Sequence, residues 1–298
     1  MMSRGQDVKA LIWDARFPLI RLEGQGCSSF LHGQTSAKVD GCAHGDLIQA
    51  CWLNATGRVQ ALLEIRLDSD GADVLVLNGD SSSVAGGFDR VIFPADQVKL
   101  GEQRQQRRMQ RLEAGKAPDF TQVIWLSEAS EPPSSWADLT ACNAEELECW
   151  RNKQGWPLGD QELTGDTNPF ELGLSDWVEL NKGCYLGQET VAKLASRGGV
   201  KQQLRCWQST SEIQKVLKSG DQLKLNNSRA GIITSVSTDM ATGNSFGLAL
   251  VRRQALDAET LQVEDSDVEV SIARPVSYTH LRAHETRGNL VCRRLLEK

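Results

Sequence analysis

The chain has 298 residues, 40% of them hydrophobic and 24% charged, with a formal net charge of −6. That length suits two domains or one large one, and no apolar run approaches the ~20 residues of a membrane span. The acidic balance argues against non-specific binding to nucleic acid or an anionic membrane, and the opening "MMSRGQDVKALIWD" lacks the apolar core of a secretory signal, so a cytoplasmic protein is expected.

In chain order, "ALIWD" and "FPLIRL" (17–22) read as strands, and "GCSSFLHGQTSAKV" as a short helix with Ser28 or Ser29 near its start as a cap. Residues 46–67 read as two strands joined by the turn Asn54-Ala55-Thr56-Gly57. "DVLVLNG" is a further strand, "SSSVAGGFDRVI" a helix, and "QVKLG" closes the set. This is an α+β pattern of hairpins and packed helices, without a G-x-G-x-x-G or P-loop for a nucleotide. Residues 103–116, "QRQQRRMQRLEAGK", suggest a polar helix whose Arg104, Arg107, Arg108 and Arg111 form a solvated face rather than an RNA-binding one, since no aromatic residues interleave them. "TQVIWLSE" reads as a strand and residues 129–138 as a Pro- and Ser-rich loop.

From about residue 201 the chain runs strand after strand, with Gly and Asn turns between, as in a small β-barrel. The expected organisation is a first domain over 1–200 and a barrel domain over 201–274. Residues 275–298 break with this pattern, and their run "VSYTHLRAHET" closely resembles a translated sequencing-library adapter, so they are set aside as a non-native tail. With that tail go His280, His284 and Cys292, five basic residues and two acidic ones, leaving 28 basic against 37 acidic.

Seven cysteines remain: Cys27, Cys42, Cys51, Cys142, Cys149, Cys184 and Cys206. Their odd number and the lack of a C-x-x-C argue against a disulfide framework or a zinc site, and no metal site is expected. Cys42 and His44, with Cys51 further on, could be imagined as metal ligands, but buried apolar cysteines are the better reading. With so few histidines, a His-based triad is disfavoured.

The stretch "NKGCYLGQETVAKLASRGG" (181–199) is the most unusual. "DWVELN" before it alternates like a half-buried strand, and "QETVAKLASR" after Gly187 reads as a helix, with Arg197 and Gly198 suiting its end. Cys184 then sits in a glycine-bounded turn near a helix N-terminus, two residues from Lys182. Both neighbours favour the thiolate, the reactive form of cysteine. Gly183 and Gly187 permit positive φ or close approach of backbone to a ligand, and Gln188 and Glu189 offer directed hydrogen bonds. The alternative, a structural turn whose cysteine fills a small pocket, is open on these residues alone.

Lys182-Gly183-Cys184-Tyr185-Leu186-Gly187-Gln188-Glu189 resembles the K-G-C-Y-x-G-Q-E signature of the YgfZ-type folate-binding family, related to the glycine-cleavage T-protein (aminomethyltransferase) and to a mitochondrial iron–sulfur assembly factor. Weaker likenesses extend over the opening strand and helix, the hairpin "NATGRV", the approach "KQGWPLGDQELTGDTNPFELGL" and the barrel strands "SRAGIITSVS" and "FGLALVRR". The resemblance implies a T-protein-like folate-binding α+β body, with antiparallel sheets and packed helices around a central cavity, plus a C-terminal β-barrel. It implies tetrahydrofolate or another reduced folate as cofactor, and a role with iron–sulfur enzymes or assembly proteins that includes support of a radical tRNA-methylthiolating enzyme. Cys184 becomes the functional thiol with Lys182 beside it. Glu171, at the family's acidic position, would shape the folate site together with Gly183, Tyr185, Gly187, Gln188 and Glu189. Trp52, Trp156 and Trp177 could stack on a pterin, with core packing the commoner role for any one of them; Trp156 and Trp177 flank the matched segments, and Trp177 is taken as the candidate. The T-protein's carboxylates after the hairpin glycine are replaced by Gln60 and Ala61. Neither can move a proton, a role typically worth roughly 10²–10⁴-fold, so the alternative of a folate-dependent aminomethyl transferase is disfavoured.

Overall fold

The structure is a computed structural model that describes residues 10–113, 115–196, 199–209, 216–239 and 242–275. His280, His284, Cys292, Arg197 and Gly198 lie outside the described residues, as does the tail beyond Pro275. The described residues divide into two compact units: those within 10–113, 119–147 and 157–201 form the first, and those within 115–118, 148–156 and 202–275 the second.

The first unit is built on one sheet. Its strands are β1 (Leu11–Glu23), β2 (Ile48–Leu53), β3 (Val59–Leu67), β4 (Gly71–Asn78), β5 (Lys99–Leu112) and β6 (Val123–Leu126), ordered β2-β3-β4-β1-β5-β6, with the short β7 (Thr140–Ala141) parallel to the start of β1. The two stretches expected as separate strands around Pro18 are one strand. Pro18 sits where β1 has a single partner, because β4 pairs only with Leu19–Glu23 and Pro18 faces β5 alone, so the missing N–H can affect at most one ladder.

Residues 103–116 are not a helix. Most of that run lies in β5, paired with β1 from end to end. Each of its arginines meets a carboxylate: Arg104 with Asp73 (2.9 Å), Arg107 with Asp14 (2.8 Å), Arg108 with Glu64 (2.6 Å) and Arg111 with Glu113 (3.4 Å). Three of these partners lie on other strands, which is why a local pattern could not reveal them.

Side chains alternate across β3, so the sheet has two unlike faces. One carries Leu63, Ile65 and Leu67 into an apolar core with Ile20, Leu22 and Val74, closed by helices α1 (Cys27–Gln34) and α2 (Ser81–Asp89) through Phe30, Leu31, Val84 and Phe88. The other is polar yet buried. Glu64 accepts from Arg108 Nε (2.9 Å), Arg108 Nη2 (2.6 Å) and Trp125 Nε1 (3.1 Å), with both charged side chains fully excluded from solvent. Helix α1 has no serine cap: its N-cap is Gly26, where a Cβ would lie 1.7 Å from the Asp96 carbonyl oxygen, so only glycine fits.

The second unit is a closed six-strand barrel of β8 (Gln202–Ser209), β9 (Gln222–Leu225), β10 (Ser228–Thr238), β11 (Ser245–Arg252), β12 (Thr260–Val263) and β13 (Glu269–Ala273), in the order β10-β11-β8-β13-β12-β9. Closure leaves no strand edge, and the interior is filled by Trp207, Leu223, Ile233, Val251, Leu261 and Val270. The expected α+β class with a C-terminal barrel holds. Two further α-helices lie among the described residues, α3 (Ala144–Gln154) and α4 (Gln188–Ser196).

Candidate functional site

The approach to the signature is not a strand. Ser175–Trp177 form a 3-10 turn, and the backbone that follows bonds to the end of α1 instead of joining a ladder. Glu179 N donates to the Ser36 carbonyl (2.9 Å), while the buried Ser36 hydroxyl donates to the Trp177 carbonyl (2.6 Å) and accepts from Cys51 N (2.8 Å). The alternation of residue types in "DWVELN" is not matched by alternating burial, since Leu180 is exposed, and the segment is held as a turn with Ser36 as the knot.

The signature itself is a turn leading into α4, as expected. Lys182 is its anchor. Its ammonium donates to the carbonyls of His32 (2.5 Å), Thr35 (2.5 Å) and Ala37 (2.6 Å), matching three donors to three acceptors, and stands 4.6 Å over the ring of Tyr185. These carbonyls lie at and beyond the C-terminal end of α1, where a cation is electrostatically favoured. Burial pulls the Lys182 pKa down to about 8, with Glu179 opposing. The hydrogen bonds of the ammonium thus go to α1 and the residues just after it, which gives Lys182 a structural role that the sequence did not show.

Among the seven cysteines before residue 275, Cys184 is the exposed one. Burial pushes the thiols of Cys51 and Cys206 up to about 12, and raises those of Cys27, Cys42 and Cys142 as well. A Cβ on Gly183 would lie 4.0 Å from His32 Nε2, and His32 Nδ1 accepts from Asp40 N (3.1 Å). Tyr185 is buried, and its hydroxyl has no hydrogen-bond partner among the described residues. Burial, then Cys51 and Glu179, push its pKa up to about 12. Gln188 reaches back to the Lys182 carbonyl (3.2 Å). Glu189 departs from the expectation: its carboxylate is 83% exposed and bonds Lys193 one helical turn on, so it closes no cavity.

The signature sits on the hairpin between β2 and β3. Gly187 (φ +82°) approaches so closely that a Cβ would meet the Asn54 carbonyl oxygen at 2.6 Å and Gly57 Cα at 3.0 Å, and Gly57 (φ +73°) faces Thr190 and Val191 of α4 in return. Asn54 Oδ1 organises the turn by accepting from Thr56 N, the Thr56 hydroxyl and Arg58 N.

Glu171 reaches the same hairpin. It is buried, and its Oε2 accepts from Asn168 N (3.0 Å) and Arg58 Nη1 (3.3 Å). Its Oε1 accepts from no described residue. Asn168 Oδ1 accepts from the backbone of Phe170 and Glu171, and Val59 N donates to the Thr167 carbonyl (2.9 Å), so the segment is fastened to the start of β3. Burial raises the Glu171 pKa, against the lowering effect of Asn168 N, Arg58 and Lys201. Gln60 donates to the Gly165 carbonyl (3.3 Å), and Ala61 is buried in the core behind it. Arg58 and Asn168 are site residues that sequence reasoning missed, although Arg58 directly follows the hairpin glycine.

Trp177, held through the Ser36 hydroxyl, lies on the other side of Ala37 and Glu179 from Lys182 and shares no hydrogen bond or ring contact with Glu171. Its buried ring meets Phe120 edge to face at 5.4 Å and lines a cavity of about 690 Å³ together with Arg66, near the far end of β3. Trp52 lies between the sheet and α2, against Phe88, and Trp156 lies in the second unit against Trp150.

No family model matches the chain. It is 24% identical to a chloroplastic "putative transferase" of Arabidopsis thaliana over 283 residues, covering 81% of this chain and 65% of that protein. It is 25% identical to the tRNA-modifying protein YgfZ of Colwellia psychrerythraea over 246 residues, covering 71% and 74%. It is 32% identical to the aminomethyltransferase of Thermotoga maritima over 106 residues, or 36% of this chain and 28% of that one. Its fold matches the crystal structure of glycine cleavage system aminomethyltransferase T from Bartonella henselae, with a TM-score of 0.69 at 14% identity over 91% and 86% of the two chains. The T-protein-like fold is therefore shown, and the chain has homologues of both the YgfZ and the aminomethyltransferase kinds, as the signature led one to expect.

Proposed function

We propose that this chain is a reduced-folate-binding accessory protein of iron–sulfur cluster assembly or repair, acting in support of radical tRNA-methylthiolating enzymes. One observation carries the folate part. The signature and Glu171 converge on a single hairpin, where the buried Glu171 carboxylate keeps one oxygen unengaged. A pterin presents N–H and NH₂ donors that the free oxygen can accept from, and such a bond gains strength from the charge on the acceptor. Tyr185, buried beside the same segment with an unpaired hydroxyl, adds a polar group of the kind that a ligand or an ordered water satisfies.

The accessory role is supported by the exposed Cys184, which is available to a partner macromolecule, and by the likeness to a tRNA-modifying YgfZ. A second reading, aminomethyl transfer, draws on the aminomethyltransferase likeness and on the transferase name of the Arabidopsis relative. An amide and a methyl group stand at Gln60 and Ala61, so this reading lacks a carboxylate there. The cytoplasmic location belongs to the same proposal, although the Arabidopsis relative is named chloroplastic.

The test is a calorimetric titration of the full chain with 5-formyltetrahydrofolate. Saturable micromolar binding is expected, weakened about tenfold or more by Glu171→Gln, because a hydrogen bond to a charged group contributes roughly 1.5–3 kcal/mol. Absence of binding to folded protein refutes the folate part. Turnover of tetrahydrofolate with an aminomethyl donor would favour the second reading.

A further inference from the structure

The cavity beside Trp177 lies away from the Glu171 cluster. Arg58 and Arg66 bracket β3 and are eight residues apart, a span of about 26 Å at ~3.3 Å per residue. At about 690 Å³ the cavity falls within the ordinary range of small-molecule sites, roughly 300–1,000 Å³.

Its wall is aromatic and its deepest charge is uncompensated. Trp177 and Phe120 supply the wall. Arg66 lies on the buried polar face of the sheet, two residues from Glu64, with its guanidinium 4.6 Å from the Trp125 ring. Glu64 would be the natural partner, but its bonds go to Arg108 and Trp125. Two guanidinium groups thus share one carboxylate, leaving one positive charge over. Arg66 Nε is buried with no hydrogen-bond partner, and Arg66 makes no ion pair among the described residues. An unpaired buried donor of this kind is costly unless something occupies it.

The other charged groups around the opening are more accessible: Asp46, Asp176 and Lys38 are exposed and Glu179 is half-buried. Three carboxylates against one ammonium disfavour a polyanion at that rim, whereas a single negative charge carried inward on a flat apolar body meets the aromatic wall and then the guanidinium.

We infer that this cavity binds a small aromatic carboxylate, with the carboxylate on Arg66 and the ring against Trp177 and Phe120. A guanidinium suits that role because its planar fork matches a carboxylate geometrically.

The full chain is titrated calorimetrically with 2-naphthoate, with its neutral counterpart 2-naphthamide, and with inorganic phosphate. Naphthoate should bind at one site, at least tenfold tighter than naphthamide, and phosphate should not bind. Arg66→Gln should weaken naphthoate roughly ten- to hundredfold and leave naphthamide unchanged, while Trp177→Leu should weaken both. Equal binding of acid and amide, absence of naphthoate binding, or saturable phosphate binding would each overturn the inference. The comparison of acid with amide uses the unmodified protein and stands even if a variant fails to fold. Displacement of naphthoate by 5-formyltetrahydrofolate would overturn the cavity as a separate site, whereas a failed folate titration leaves the naphthoate result intact.

Discussion

Gly187 tests whether the signature is seated on the β2–β3 hairpin, and the structure supplies its own control. Gly187 has φ +82°, and a Cβ there would lie 2.6 Å from the Asn54 carbonyl oxygen and about as close to Gly57 as backbone atoms permit. Gly41 has φ +81° with nothing within 4 Å of its Cβ position. Replacing either by alanine imposes the same left-handed backbone, a cost of about 1–2 kcal/mol. Only Gly187→Ala adds a collision with backbone that cannot rotate away, a further ~1–3 kcal/mol for overpacking. Urea unfolding should therefore place Gly41→Ala about 1–2 kcal/mol below the parent and Gly187→Ala about 2–5 kcal/mol below it. Folate titration of the folded variants should show loss of binding for Gly187→Ala alone. Equal destabilisation by the two substitutions, with folate binding intact in both, would refute the seating of the signature on the hairpin.

Glu64→Gln should destabilise by about 3–5 kcal/mol in urea unfolding, because it strands a buried guanidinium, whereas Glu64→Leu combined with Arg108→Met should recover most of that loss; a single variant within 1 kcal/mol of the parent would contradict the burial argument. Cys184 should be the first cysteine before residue 275 alkylated by iodoacetamide near neutral pH, followed by peptide mass mapping, because it is exposed while burial holds back the thiols of Cys51 and Cys206 at about 12. Glu171 has a pKa raised above its ordinary 4.5, so its acceptor form is completed only as pH climbs past that value. Folate affinity should accordingly rise with pH through a midpoint above 4.5, and Glu171→Gln should flatten this acid limb; an unchanged limb in the variant would assign the titration elsewhere.

Much of the fold was legible wherever partners are near in sequence. The hairpin at Asn54–Gly57 declares itself through its turn residues, and the barrel through short alternating strands broken by Gly and Asn. Residues 103–112 were not legible, because a charge-rich run has no local reason to be a strand. Its conformation comes from pairing with β1 and from Asp14, Asp73 and Glu64, all more than 30 residues away. The site divides the same way. Cys184, Gly187 and Glu171 could be named from the sequence, but the work of Lys182 could not, since its acceptors are backbone carbonyls that any residues could supply. Arg66 was missed for the opposite reason: one arginine in an alternating strand looks solvated until its neighbours show that Glu64 is already taken.

The three bonds of Lys182 join points 145 to 150 residues apart along the chain. During biosynthesis the end of α1 and the β2–β3 hairpin leave the ribosome long before the segment that ties them. At roughly 5–20 residues per second, that interval is about 7 to 30 seconds. Throughout it, the carbonyls of His32, Thr35 and Ala37 can be satisfied only by water. The turn that carries the signature is consequently among the last parts of the first unit to be completed, and a nascent chain released before residue 182 carries the sheet and its apolar core without the clasp that Lys182 supplies.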